Sequence, residues 1–261
     1  MNIESVASNW LDSATSALQD LCSLSFVLKV ALPVAVICAI NQLLNRRVSG
    51  GLISNDSWDW TKEIVLITGG NSGMGKAIVQ ALAQKSIKVV ILDVRPPQTP
   101  LPPGVSFYEV DVSSSEALHR AAEQIRYEVG DPTVLINNAG IGLGSSVLEC
   151  TEAQVRQIFD VNTLSHFWII QEFLPAMIKA NHGHVVTMAS IASFVVLAGN
   201  VSYSCTKASA LAFHEGLGQE LKHRYSASKI RTRLAVLSIP NCHPPDHGIL
   251  ALCTHVGSEH Q

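Results

Sequence analysis

Six short runs of aliphatic and β-branched residues lie between residues 64 and 239, and longer segments with helical periodicity separate them. The predicted strands cover residues 64–70, 88–94, 105–112, 134–140, 184–190 and 231–239, and the predicted helices cover 75–85, 113–129, 151–180 (as two helices) and 203–224. Most of these strands are continuously apolar, which is typical of strands buried on both faces of a parallel sheet. The alternation predicts an α/β fold with a Rossmann-like doubly wound parallel sheet.

A separate apolar stretch, residues 24–44, is about as long as a membrane-spanning helix needs to be, although Lys29 and Pro33 interrupt it. Arg46 and Arg47 follow, so the positive-inside rule predicts that the main domain faces the cytosol. A helix that lies in the membrane surface, or that packs on the domain, is the alternative. We expect five segments: a leader (1–23), a membrane-associated helix (24–45), a linker (46–60), the main domain (61–239) and an atypical tail (240–261).

The composition narrows the possible partners and the compartment. The 261-residue chain has a formal net charge of −3 and contains no run of Lys and Arg, which argues against a nucleic-acid partner. Its six cysteines are scattered without a CxxC pair, as expected for reduced thiols facing the cytosol rather than for a disulfide framework.

A glycine-rich turn, "TGGNSGMGKA", joins the first predicted strand to the first predicted helix. Gly69, Gly73 and Gly75 allow a tight turn and a close backbone approach, and the helix N-terminus offers free N–H groups to a pyrophosphate. Asp93 ends the second strand, where its carboxylate can accept both ribose hydroxyls of NAD and repel the 2′-phosphate of NADP. NAD is therefore favoured, while nearby Arg95 keeps NADP open. A carboxylate that is simply exposed to solvent is the alternative for Asp93.

A second chemical motif lies near the start of the last predicted helix. Tyr203 and Lys207 are four positions apart, so that their head groups lie on one helix face. A phenol has an ordinary pKa of about 10, and a neighbouring ammonium favours its ionised form. The pair can therefore serve as an acid–base couple, although two ordinary surface residues would show the same spacing.

These motifs, taken in order, resemble the short-chain dehydrogenase/reductase family in its single-domain branch. The turn has the spacing Gly-x3-Gly-x-Gly, "NNAG" (137–140) ends the fourth strand, and Ser190 precedes Tyr203 by 13 positions. Asp111 and Val112 end the third strand, and Asn162 lies in the next helical region. The resemblance covers about residues 61–239.

The resemblance implies an NAD(P)-dependent oxidoreductase that interconverts an alcohol and a carbonyl. Tyr203 would exchange the proton, Lys207 would lower the pKa of the phenol and bind the nicotinamide ribose, Ser190 would hold the substrate oxygen, and Asn162 would seat a water that passes protons onward. The cofactor contacts would be Gly69, Ser72, Gly73, Met74, Gly75, Asp93, Asp111, Val112, Asn138, Ala139, Gly140, Tyr203 and Lys207. Three structural alternatives stay open: Ser190 could cap a turn, Asn162 could be a helix-interior polar residue bonded to backbone, and Asn138 could tie neighbouring strands together.

An N-terminal anchor ahead of such a domain is similar to the membrane-bound members that act on retinoids, sterols and other lipids. The expected substrate is therefore an apolar alcohol or carbonyl compound, and the expected location is the endoplasmic reticulum or the lipid droplet. Family members often pair through two long helices, here 151–180 and 203–224, which allows a homodimer.

The tail departs from the family pattern, because Asn241 follows Pro240 where a glycine is usual and too few residues follow for a substrate loop and a last strand. We expect the sheet to lack its last strand. A truncated, non-catalytic or regulatory form that binds a dinucleotide is therefore the alternative function, and an epimerase or dehydratase ranks last. The Cys and His residues of the tail match no familiar zinc spacing, so no metal is expected.

Overall fold

The computed structural model describes residues 58–237, and these residues contain a six-stranded parallel sheet of order β3-β2-β1-β4-β5-β6. The strands are β1 (Ile64–Thr68), β2 (Lys88–Asp93), β3 (Val105–Glu109), β4 (Val134–Asn137), β5 (Gly183–Ser190) and β6 (Ile230–Leu237). This order confirms the predicted Rossmann-like α/β fold, because the strand order reverses beside β1, between β1 and β4. The predicted leader, membrane-associated helix and tail lie outside the described residues, as does most of the predicted linker.

Several predicted strands extended too far at their carboxyl ends. β1 ends at Thr68 rather than at residue 70, and β4 ends at Asn137 rather than at residue 140. The residues that follow leave the ladder because glycines and a side-chain amide turn the backbone there. These turns form the edge of the sheet at which the candidate site lies.

In the described part of the chain, five α-helices connect the strands: α1 (Gly73–Gln84), α2 (Ser115–Glu128), α3 (Glu152–Phe159), α4 (Ser165–Ala180) and α5 (Val201–His223). The Ser114 hydroxyl accepts a hydrogen bond from the Ala117 N–H and caps α2, while Thr151 and Gln154 form a capping box at α3. The region 151–180 contains two helices, as predicted. A five-residue π-helical turn, Asp160–Leu164, joins them.

The core consists of two apolar layers, one on each face of the sheet. Leu66, Leu135 and Val185 pack on the side of α2, α4 and α5, whereas Ile67, Ile136 and Val186 pack on the side of α1. Successive strand residues point to opposite faces, and both faces are covered, which explains why the sequence shows continuous rather than alternating apolar runs.

The amino-terminal edge of the sheet carries an aromatic cluster around Trp58. The indole stacks on the ring of His182 with centroids 4.5 Å apart, and the guanidinium of Arg231 lies 5.0 Å from the indole centroid. His182 Nε2 lies 3.0 Å from both carboxylate oxygens of the buried Glu63, and His184 meets Trp58 edge-on. This cluster fixes the point at which the chain enters the domain.

Within residues 58–237, no helix combines the length and the apolar character that crossing a membrane requires.

Candidate active site

The glycine turn after β1 is as tight as the sequence predicts. Gly69 and Gly73 adopt left-handed backbone angles, with φ of +67° and +51°. A Cβ on Gly75 would lie 2.1 Å from the carbonyl oxygen of Gly69, so this position accepts only glycine. Helix α1 begins at Gly73, and its first i→i−4 bond is made by the Lys76 N–H to Ser72. The preceding N–H groups are therefore left for a ligand at the positive end of the helix.

Asp93 connects the end of β2 to this turn. Its carboxylate is 5% exposed and accepts hydrogen bonds from the backbone N–H of Asn71 (2.9 Å) and of Arg95 (3.0 Å). The alternative of a solvent-exposed carboxylate is therefore wrong. Each carboxylate oxygen keeps a further lone pair, so contacts to ribose hydroxyls stay possible. The Arg95 guanidinium donates to Ser72 Oγ (3.0 Å), which brings a cation beside the glycine turn.

Asn138 and Thr68 tie the ends of β4 and β1 together. The Asn138 amide donates to the backbone carbonyls of Thr68 (2.9 Å) and Gly69 (3.1 Å). In the opposite direction, the N–H groups of Asn138 and Ala139 donate to Thr68 Oγ1 at 3.0 and 2.9 Å. The strand-tying alternative for Asn138 is thus confirmed, and the pairing holds the "NNAG" backbone beside the glycine turn.

Asp111 and Val112 occupy the loop between β3 and α2. The exposed Asp111 carboxylate accepts hydrogen bonds from the N–H and hydroxyl of Ser113, and the Val112 side chain packs in the apolar core. Both side chains therefore have structural contacts of their own. Their predicted contact with the cofactor stays a prediction.

Asn162 lies in the π-helical turn and is fully buried. Its Oδ1 accepts from the Ile141 N–H (2.8 Å), and its Nδ2 donates to the Ile141 carbonyl (2.9 Å) and to Thr206 Oγ1 (3.1 Å). A Cβ on Gly140 would lie 3.5 Å from Asn162 Oδ1 and 3.7 Å from Lys207 Nζ. The side chains of Asn162 and Lys207 therefore meet at Gly140.

Lys207 is a buried cation at the centre of this arrangement. It is 5% exposed, its Nζ donates to the Met188 carbonyl (2.8 Å), and burial lowers its pKa to about 8. Its Nζ lies 5.7 Å from the centroid of the Tyr203 ring. Tyr203 is only partly buried, and its ring edge would lie 3.9 Å from a Cβ on Gly142. The loop at 140–142 thus borders both members of the predicted acid–base pair.

Ser190 ends β5 and is 2% exposed. Its hydroxyl accepts a hydrogen bond from the Ala192 N–H (3.2 Å) and caps the short 3₁₀ turn Ile191–Ser193. The capping alternative is thus confirmed, and a contact with the substrate oxygen stays a prediction. Ser190 follows Met188, the acceptor of Lys207, by two residues, so its Cβ points to the same side of β5 as that of Met188.

Three residues of this site were not singled out from the sequence: Thr68, Thr206 and Met188. Thr206 fixes Asn162, Thr68 fixes the "NNAG" backbone, and Met188 contributes only its carbonyl. A threonine at a strand end before a glycine turn is a usable signal for Thr68. Every residue has a backbone carbonyl, so the type of residue at position 188 does not reveal that its carbonyl accepts a hydrogen bond from Lys207. Met188 could therefore not be identified from the sequence.

Exposed apolar side chains flank this edge of the sheet. Phe194, Val195, Val196 and Leu197, in the loop after β5, are between 55% and 66% exposed. In the loop after β4, Val147 and Leu148 are 63% and 98% exposed. The first loop follows Ser190, the last residue of β5, and the second follows the "NNAG" segment after β4, so both loops begin at the site.

Among residues 58–237, no group of three or more His, Cys, Asp and Glu side chains is arranged to hold a metal ion. The Cys and His residues of the tail lie outside the described part of the chain.

The family model for the short chain dehydrogenases matches residues 63–233. The chain belongs to the short-chain dehydrogenase family. Among the relatives of this short-chain dehydrogenase is Dehydrogenase RED2 of Cochliobolus heterostrophus, 48% identical over 198 residues that cover 75% of each chain. Another is estradiol 17-beta-dehydrogenase 11 of Homo sapiens, 34% identical over 198 residues that cover 73% of this chain and 64% of the relative.

Solved structures agree with this assignment. The short-chain dehydrogenase is similar to 4-hydroxyisoleucine dehydrogenase complexed with NADH, with a TM-score of 0.61 and 26% identity, over 66% of this chain and 74% of that one. The resemblance drawn from the motifs is thereby confirmed. The match to the human estradiol dehydrogenase spans slightly less than two thirds of the length of that relative.

Proposed function

We propose that this short-chain dehydrogenase is an NAD(P)-dependent oxidoreductase that interconverts an alcohol and a carbonyl on an apolar substrate. The observation that carries this proposal is the convergence of Asn162, Tyr203 and Lys207 on the loop at 140–142, at the sheet edge that also bears the glycine turn. In open α/β sheets, ligands bind at this edge, beside the point where the strand order reverses.

The glycine turn suits a dinucleotide because it combines close backbone approach, free N–H groups and a buried carboxylate. Gly69, Gly73 and Gly75 would cradle the pyrophosphate with Ser72 and Met74, and Asp93 would hold the adenosine ribose. A carboxylate at that place favours NAD over NADP, and Arg95 beside Ser72 leaves NADP possible. The similarity to a dehydrogenase complexed with NADH supports this choice. Asp111, Val112, Asn138, Ala139 and Gly140 complete the proposed cofactor contacts.

Bound nicotinamide supplies or accepts the hydride, and the chain must then move the accompanying proton. We assign the proton exchange to the hydroxyl of Tyr203. With its pKa at about 8, Lys207 is predominantly cationic at neutral pH, and a buried cation near the phenol ring favours the phenolate. Lys207 would also donate to the nicotinamide ribose, and Ser190 would hold the substrate oxygen. Ile141 and Thr206 already form hydrogen bonds with the side-chain amide of Asn162. The proposed water would therefore bind to the second lone pair of Asn162 Oδ1 or to the backbone carbonyl of Asn162.

The exposed apolar side chains around the site support an apolar substrate. Phe194 to Leu197 and Val147 to Leu148 border the edge where the alcohol would bind. The name of the human relative gives estradiol, an apolar alcohol, as a substrate. We further propose membrane association through residues 24–45 at the endoplasmic reticulum or lipid droplet, with the domain in the cytosol. We also propose a homodimer formed through the helical regions 151–180 and 203–224.

Measurements of binding and turnover by the full chain distinguish this proposal from the alternative, in which the chain binds a dinucleotide without catalysing a reaction. The unusual sequence after Pro240 favours that alternative. Titration with NADH, followed by nicotinamide fluorescence, measures binding, and oxidation of retinol or estradiol with NAD measures turnover. We expect binding and turnover in the wild type, and binding with turnover reduced at least about a hundredfold in Tyr203→Phe.

Tyr127→Phe is the matched control, because Tyr127 is 92% exposed and its hydroxyl lies outside the site. Turnover that survives Tyr203→Phe would refute the assigned base. Binding without turnover in the folded wild type would favour the non-catalytic alternative.

A further inference from the structure

The loop between β5 and α5, residues 191–200, leads from the sheet to the helix that carries Tyr203 and Lys207. Among its first nine residues, Ala192 is buried and Ser193 is partly buried, while the other seven are exposed. A segment with so few buried side chains has little packing to keep it in one place. Its position relative to the site therefore depends on the contacts of Ala192 and Ser193.

The start of this loop is shaped by hydrogen bonds of its own backbone. The N–H groups of Phe194 and Val195 donate to the Ile191 carbonyl at 2.9 and 3.0 Å. The Ala192 N–H donates to Ser190 Oγ at 3.2 Å. These bonds form a turn at the end of β5, but they do not connect that turn to α5.

Ser193 makes the connection to the helix. Its hydroxyl donates a hydrogen bond of 2.8 Å to the backbone carbonyl of Lys207. Among the described residues, this is the only hydrogen bond that a side chain of the loop forms. A carbonyl oxygen has two lone pairs, so the Lys207 carbonyl can accept from Ser193 and from the helix at the same time.

Lys207 is thus held twice by β5 and the loop that follows it. Its ammonium donates to the Met188 carbonyl at 2.8 Å, and its own carbonyl accepts from Ser193, five positions further along the chain. Tyr203 lies one helical turn before Lys207. The two contacts therefore fix the loop against the part of α5 that carries the proposed acid–base pair.

The exposed apolar side chains of this loop follow Ser193 directly. They belong to Phe194, Val195, Val196 and Leu197. Because they continue from a residue that is bonded to α5, the Ser193 hydroxyl determines where they begin. An apolar surface that is already held in place binds a substrate without the loss of conformational entropy that ordering a mobile loop would cause.

We propose that Ser193 is a positioning residue, whose bond to the Lys207 carbonyl holds the apolar loop 194–197 beside Tyr203 and thereby sets a preference for bulky apolar alcohols. The inference rests on the proposed function, because it assumes that this loop contacts the substrate. A small alcohol that does not reach the loop would gain nothing from the bond. The role of Ser193 should therefore appear as a difference between substrates rather than as a general loss of activity.

The first test measures the oxidation of two alcohols by the full chain. Estradiol has a large apolar surface, whereas cyclopentanol has a ring alcohol with little apolar surface beyond it. We expect Ser193→Ala to lower kcat/KM for estradiol about five- to tenfold, mainly through KM, as the loss of one neutral hydrogen bond would give. The kcat/KM for cyclopentanol and the affinity for NADH should stay unchanged. Equal losses for both alcohols, or no loss for either, would overturn the proposal.

Two further variants control this comparison. Ser193→Thr keeps the hydroxyl and should restore the activity on estradiol. Ser145→Ala is the matched control, because this partly buried serine also donates to a backbone carbonyl, that of Leu143 at 3.4 Å, but the bond stays within its own loop. The ratio of kcat/KM between the two alcohols should therefore be the same in Ser145→Ala as in the wild type.

Amide hydrogen exchange of the free chain is a second readout that does not need turnover. The amides of Phe194 and Val195 should exchange at least about fivefold faster in Ser193→Ala than in the wild type or in Ser193→Thr, because the turn opens more often. Exchange that matches the wild type would overturn the proposal. If no variant oxidises either alcohol, the proposed function fails, while the exchange rates still decide whether Ser193 holds the loop. Should Ser193→Ala fail to fold, Ser193→Cys, whose thiol is a weak donor, must give the same changes.

Discussion

The side-chain amide of Asn162 binds both backbone polar groups of Ile141, accepting from its N–H at 2.8 Å and donating to its carbonyl at 2.9 Å. The backbone hydrogen bonds of β4 end at Asn137, and beyond that point this one side chain from the π-helical turn pairs with the backbone groups of Ile141. The loop that borders Tyr203 and Lys207 takes its position from this contact.

Replacement of Asn162 by Asp should therefore destabilise the protein, since a carboxylate of the same shape cannot donate to Ile141 or Thr206. We expect a loss of about 2–3 kcal/mol in the free energy of unfolding, measured with urea, because buried groups lose their partners. Thr206→Val removes only one of these contacts and should cost less. Equal stability of Asn162→Asp and the wild type would show that the loop does not depend on this amide.

Two glycines of the same turn should respond differently to alanine. At Gly75 a Cβ would lie 2.1 Å from a backbone oxygen, so Gly75→Ala must displace the turn and abolish tight NADH binding. At Gly73 no atom lies within 4 Å of an added Cβ, so only the left-handed backbone angle disfavours alanine. We expect Gly73→Ala to lower the free energy of unfolding by about 1–2 kcal/mol. Thermal unfolding and NADH titration of both variants measure the difference. A Gly75→Ala variant that binds NADH as well as Gly73→Ala would contradict this geometry.

Stability should fall in acid because two histidines are buried in neutral form. The pKa values of His166 and His184 are lowered to about 3, chiefly by burial, from an ordinary value of 6.5. Between these values the unfolded chain binds protons that the native chain does not, so stability present above pH 6.5 is lost as the pH falls towards 3. Each residue contributes a slope of up to about 1.4 kcal/mol per pH unit.

Urea unfolding at pH 7, 5.5 and 4.5 checks this, with His184→Phe expected to reduce the slope by about half. His119→Gln is a suitable control, because that imidazole is exposed and its pKa is raised by Glu172. A slope unchanged by His184→Phe would count against neutral burial.

The choice between NAD and NADP should depend on Asp93. In Asp93→Asn the side-chain NH₂ group replaces one carboxylate oxygen and cannot accept a hydrogen bond, so either the Asn71 N–H or the Arg95 N–H loses its acceptor. The negative charge beside the ribose is also lost. We expect NADH affinity to fall and the ratio of NADH to NADPH affinity to drop at least about tenfold, which corresponds to about 1.4 kcal/mol of lost interaction. Fluorescence titrations with both cofactors measure the ratio. Asp131→Asn, at an exposed position before β4, controls for net charge and should leave it unchanged.

The sequence was sufficient for the fold because continuous apolar runs identify buried parallel strands. The family motifs identified Asn162, Tyr203 and Lys207 as residues that converge. The pattern did not show where strands end, since the backbone that follows Thr68 and Asn137 is held by contacts between Thr68 and Asn138, which are 70 positions apart in the sequence. It also did not show that Asp93 has structural hydrogen bonds, because such bonds depend on backbone N–H groups brought near only by the turns; for Ser190 it offered the turn cap as an alternative.

The packing of Trp58 has a consequence for how the domain meets its surroundings. Trp58 is held against His182 and Arg231 at one pole of the sheet, whereas Ser190 ends β5 at the other. The eight residues of β5 separate these poles by about 25 Å. A compound diffusing to Tyr203 therefore approaches from the pole of the sheet opposite to Trp58, and a substitution within the Trp58 cluster would leave that approach unobstructed.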